Sequence, residues 1–124
     1  MEEVDVVKHQ VLVYGTLRKG AENAVVLVPG TLYNLGWFPG IKLDRSENPS
    51  SFVTCEVLEV DDDKLFTFDN YEGYDPTDPE NSLYIREEWQ GKFIYTFNKD
   101  VQNKPVIASG NWLDVPNATL GAYA

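Results

Sequence analysis

The sequence predicts a strand-rich α+β domain with a barrel-like sheet. Three features point there. Short apolar runs rich in β-branched residues recur along the chain. Clusters of Gly and Pro separate them. One stretch alone, about Asp62 to Tyr71, carries the apolar spacing of a helix.

Taken in order, residues 1–8 read as a loose acidic lead-in. A first strand is expected over about His9 to Tyr14, around the apolar run Val11-Leu12-Val13. Gly15 breaks it and opens a polar loop to Asn23. Ala24 to Val28 is apolar without alternation. Pro29-Gly30 punctuates it, and a strand-like pattern resumes over Thr31 to Leu35. Gly36-Trp37-Phe38-Pro39-Gly40 reads as an aromatic turn, Ile41 to Asp44 as a short strand and Arg45 to Ser51 as a polar loop. Phe52 to Val60 alternates in part and is rich in β-branched residues, so it predicts a strand.

Asp61, Asp62 and Asp63 follow. Each is suited to cap a helix, and their charge suits the positive end of its dipole. Within the helix, Leu65, Phe68 and Glu72 fall at i, i+3 and i+7 and share a face. An acid ending an apolar stripe is an exception that marks a candidate site. Gly73 fits the left-handed position just past a helix end. Asp75 to Ser82 is a loop with two prolines. Leu83 to Trp89 and Lys92 to Phe97 flank Gln90-Gly91, the pattern of a two-residue hairpin. Asn98 to Lys104 is a connector, and Pro105 to Asp114 is expected to add a last short strand and turn.

At 124 residues the chain is expected to be one domain, 1–124. Twenty acidic residues against ten basic ones give a formal charge of −10, a field that repels phosphate backbones. Nucleic acid is therefore not the expected partner, and the charge reads as solubility. No apolar stretch is long enough to span a bilayer. With no basic lead and no long apolar run at the start, the expectation is a cytoplasmic protein without a membrane partner. Cys55 is the sole cysteine and reads as a buried small hydrophobe. A single His and a single Cys leave only carboxylates for a zinc site, so no metal is expected.

The chemistry concentrates in two stretches. A strand running into Gly15 presents main-chain N–H groups at its end, and Gly lets a ligand approach them closely. Such donors suit carboxylate or carbonyl oxygens. The glycines at 15 and 20 have the spacing of a phosphate-binding loop, but Ala21-Glu22 stand where Lys and Ser or Thr are required. Asp69-Asn70-Tyr71-Glu72-Gly73-Tyr74 supplies a reactive carboxylate, Glu72, at the helix end the dipole disfavours. Asp69, one turn earlier, reads as a solvated or capping acid. Arg18 and Lys19 read as surface charges, with Arg18 the alternative attractor of a substrate carboxylate. Arg86 shares a strand face with Tyr84 and is either outward and solvated or inward and paired. Trp37, Trp89 and Trp112 are expected in the core or at its rim.

Four local patterns in this order resemble the gamma-glutamylcyclotransferase-like, or AIG2-like, superfamily, of the small bacterial or gamma-glutamylamine cyclotransferase type. They are Val13-Tyr-Gly-Thr-Leu17, Phe38-Pro-Gly40, Phe68-Asp-Asn-Tyr-Glu-Gly73 and Leu83-Tyr-Ile-Arg86. Ala108-Ser-Gly-Asn-Trp112 is similar to the closing strand of the small members. The resemblance covers about residues 9–114. It implies a small mixed β-barrel with one or two flanking helices. It further implies a 5-oxoproline-forming reaction on a γ-glutamyl compound. By resemblance, Tyr14, Gly15, Thr16 and Leu17 hold the γ-glutamyl part, Glu72 is the acid/base, and Tyr84 and Arg86 help build the pocket.

That reaction needs no metal and no cofactor. One carboxylate can take a proton from the attacking α-ammonium and return it to the leaving amine. An apolar, aromatic surround keeps such a carboxyl basic enough at neutral pH. The expected partner is thus a small γ-glutamyl molecule, with the protein a monomer or weak homodimer. The alternatives are a silent module that sequesters a small metabolite on the same fold, and a protein-interaction domain acting through its acidic surface.

Overall fold

The computed structural model describes residues 7–15 and 23–115. Six strands and one helix follow one another: β1 (Lys8–Val13), β2 (Val25–Asn34), β3 (Pro39–Leu43), β4 (Phe52–Asp61), α1 (Asp62–Tyr71), β5 (Tyr84–Trp89) and β6 (Lys92–Phe97). They form one mixed sheet in the order β3-β2-β4-β1-β6-β5. Only β1 and β6 run parallel; every other pairing is antiparallel.

The sheet curls because β2 changes partner along its length. Val25 to Pro29 pair with β4, whereas Gly30 to Asn34 pair with β3. Pro29-Gly30 therefore does not interrupt the strand, as the sequence suggested, but marks its corner. Pro29 has no N–H to give to a ladder. Gly30 lies so close to β3 that a Cβ there would sit 2.6 Å from the Lys42 carbonyl. Beyond the corner, β3 folds towards β6. Lys42 Nζ donates to the Phe97 carbonyl at 2.7 Å, and Tyr84 Oη donates to the Pro39 carbonyl at 2.6 Å. The result is an α+β fold built on a half-barrel.

The core fills this curl. Val11, Leu12, Val13, Val28, Ile41, Val53, Cys55, Ile94 and Tyr95 are wholly buried, and Leu65 and Phe68 of α1 pack into the same cluster. The centre of β1 is covered on both faces, which explains a continuous apolar run where alternation would suit a half-exposed strand. Trp112 is also buried, but Trp37 is 80% exposed at the tip of the β2–β3 turn. The hairpin turns as expected through Gln90 and Gly91, at φ 49° and 76°. The final segment makes only a single bridge, Val106 to Tyr33, and a short 3₁₀ turn at Trp112–Asp114 in place of a full strand. No helix of the described residues is long and apolar enough to cross a membrane.

Candidate functional site

Three chain ends meet beside the core: the exit of β1, the C-terminus of α1 and the start of β5. The stripe Leu65, Phe68, Glu72 brings them together, since all three side chains are buried along one face of α1. Asp61 caps the other end, its carboxylate accepting from Lys64 N at 2.8 Å. At the C-terminus the Glu72 N–H donates to the Phe68 carbonyl at 2.9 Å. Gly73 then takes φ 65°, which reverses the chain. Leu83 N donates to the Gly73 carbonyl at 3.1 Å, so β5 starts directly beside the helix end.

Glu72 itself is 0% exposed. Its charge acts on two phenols. Tyr14, the last residue of the β1 exit, is pushed well above the ordinary tyrosine pKa, first by burial and then by the neighbouring Tyr84 and Glu72. Tyr84 is raised too, by burial and then by Glu72. Both phenols therefore stay neutral donors at physiological pH. Tyr14 Oη donates to the Tyr95 carbonyl at 2.5 Å and accepts from Ile41 N at 3.3 Å. These bonds fix the strand end from which Gly15, also buried, departs.

Arg86 resolves the alternative left by the sequence. It points inward and is paired: its Nη1 lies 2.8 and 3.0 Å from the two Asp69 carboxylate oxygens. The guanidinium also stands 4.8 Å from the centre of the Phe93 ring and 5.6 Å from that of Tyr74. Asp69 is accordingly not a solvated acid. It is 5% exposed, and Tyr95 Oη donates to it at 2.5 Å. Burial and this Asp69 contact raise the Tyr95 phenol's pKa, partly offset by Arg86.

Of the predicted residues, Tyr14, Glu72 and Tyr84 share one electrostatic neighbourhood, with Gly15 next in chain. Arg86 reaches the same region through Asp69. Thr16, Leu17 and Arg18 lie outside the described residues. One buried acid escaped the sequence reading. Glu56 on β4 is 0% exposed and pairs in register with Val13 on one side and Val25 on the other. Asn23 Nδ2 donates to its Oε1 at 3.0 Å. An acid between Cys55 and Val57 in an apolar strand was the available signal. Among the described residues, no group of three His, Cys, Asp or Glu side chains gathers to hold a metal.

A fully buried carboxylate, beside neutral phenols and a fixed strand end, is equipped to move a proton where water is excluded. Residues 11–114 match the family described as "Gamma-glutamyl cyclotransferase, AIG2-like". The chain belongs to this family. The AIG2-like fold is shared with two solved structures. YkqA from Bacillus subtilis is 22% identical, with a TM-score of 0.59 over 86% of this chain and 40% of that one. The protein ytfP from Escherichia coli is 24% identical, with a TM-score of 0.56 over 85% of this chain and 96% of that one. The chain thus spans well under half of YkqA but nearly the whole of ytfP. At such identities the likeness shows the fold. No curated protein matches the chain. The AIG2-like match spans all three converging ends, so the cyclotransferase-like assignment and the buried acid concern the same part of the molecule.

Proposed function

We propose that the protein is a cyclotransferase that converts a γ-glutamyl amine or γ-glutamyl amino acid into 5-oxoproline and a free amine. The observation that carries this reading is the complete burial of Glu72, with Tyr14 and Tyr84 both within reach of its charge. In the reaction the substrate's α-ammonium gives a proton to the Glu72 carboxylate. The freed amine attacks the γ-carbonyl and forms the ring C–N bond. The carbonyl oxygen gathers negative charge, which main-chain donors at the β1 exit, from Gly15 onward, stabilise. The intermediate then expels the amine as the original amide C–N bond breaks. Glu72 returns its proton to that leaving nitrogen, then takes the extra proton from the ring nitrogen and passes it to the freed amine, which departs as its ammonium form. Atoms and charge balance with no co-reactant.

Ring closure is intramolecular, so much of the acceleration comes from holding the substrate folded. Tyr14 through Leu17, with Arg18, hold the γ-glutamyl part in this reading, and Tyr84 and Arg86 form the opposite wall. A fully enclosed Glu72 also requires that part of its shell draw aside to admit an amine.

A panel of γ-glutamyl amines and γ-glutamyl amino acids incubated with the protein tests the proposal. The expected result is 5-oxoproline released in step with one free amine, for at least one member. Retention of an intact γ-glutamyl ligand in native mass spectra, with no product from any panel member, would establish the sequestering alternative instead.

A further inference from the structure

The Asp69–Arg86 pair poses a physical problem that the reaction alone does not answer. Asp69 and Glu72 stand three residues apart at the C-terminal end of α1, where the helix dipole is negative. Like charges at this spacing lie on neighbouring turns and repel. Burying both removes the water that would screen them. Such an arrangement persists only if one charge is neutralised locally.

Arg86 does this for Asp69. It is the only cation that the described residues place on that carboxylate. Phe93 and Tyr74 flank the guanidinium and hold it in place. Tyr95 adds a third bond to the Asp69 carboxylate from β6. The backbone carbonyl of that same Tyr95 accepts the Tyr14 hydroxyl. A continuous chain of contacts therefore runs from the helix turn before Glu72, through Asp69 and Tyr95, to the β1 exit. Tyr74 N also donates to the Asp69 carbonyl at 2.9 Å, which ties the reversal after Glu72 to the same residue.

We infer that Asp69, Arg86 and Tyr95 form a clasp that sets the Glu72 carboxylate against Tyr14 and screens it from a second negative charge. This rests on the reading of Glu72 as acid/base. In it Arg86 is a positioning residue, acting through Asp69, rather than a ligand for the substrate's α-carboxylate. The titratable groups that interact with Glu72 are Tyr14 at the β1 exit and Tyr84 from β5, while Asp69, three residues earlier on its own helix, is held by Arg86 from β5 and Tyr95 from β6.

Two charge deletions separate the roles. Arg86→Met leaves Asp69 as a bare anion near Glu72 and should move the Glu72 titration to higher pH. Asp69→Asn leaves Arg86 as a bare cation and should move it to lower pH. The carboxyl carbon signal of ¹³C-labelled Glu72 reads both shifts without any turnover, so the clasp is tested even if no γ-glutamyl substrate reacts. Shifts in opposite directions support it. No shift, or shifts of one sign, overturn it.

Where turnover is measurable, kcat should fall by about 10²-fold in Arg86→Met, the scale of a misplaced reacting group. The fall should be the same for a γ-glutamyl amide and for the 4-aminobutyryl amide, which lacks the α-carboxylate. A loss confined to the carboxylate-bearing substrate would instead make Arg86 its ligand. Tyr95→Phe keeps every charge and guards against failure of the other variants to fold. It should lower kcat with KM and the pH profile unmoved; a changed KM with unchanged kcat counts against the clasp.

Discussion

The two ends of α1 carry the same kind of residue in opposite settings. At the N-terminus, Asp61, Asp62 and Asp63 lie near the positive end of the dipole, and Asp62 and Asp63 are open to solvent. At the C-terminus, Asp69 and Glu72 face the negative end and are buried. The first set follows elementary helix electrostatics and needs no function to explain it. The second opposes it, twice over, since burial and dipole both disfavour the charged form. Acids held where folding alone would not put them are what single out the candidate site in this molecule.

The contrast can be broken by truncating each end. Asp69→Ala strands Arg86 as a half-buried cation without its partner. Breaking a buried pair from one side costs about 3 kcal/mol, and urea unfolding should show a loss of that order. A loss near zero would mean that water already reaches the pair. Asp61→Ala removes one capping bond at the opposite end and should cost about 1 kcal/mol in the same assay. If Asp61→Ala proves the more damaging of the two, the helix is anchored from its N-terminus and the contrast fails.

Much of this was legible from residues alone. The helix limits, the stripe ending in Glu72, the reversal at Gly73 and the hairpin at Gln90-Gly91 all follow from local rules. What escaped was non-local. Asp69 reads as a surface acid because its cation lies seventeen residues on, at Arg86. Helical periodicity put Glu72 on the buried stripe, but it carries no information on the partner that draws Asp69 inward as well. Pro29-Gly30 reads as a break because a chain met in isolation does not reveal that a strand can keep its direction while exchanging neighbours. Glu56 was passed over for the same reason. Its burial depends on β1 and β2 closing on either side of it.

The most direct measurement deletes one charge at each end of the helix and compares turnover. The rate of 5-oxoproline release should fall by about 10²- to 10⁴-fold in Glu72→Gln, the range a positioned acid/base contributes. Asp63→Asn, equal in chemistry but solvated at the other end, should work at the wild-type rate. A folded Glu72→Gln protein that releases 5-oxoproline as fast as Asp63→Asn would contradict the assignment of the buried acid.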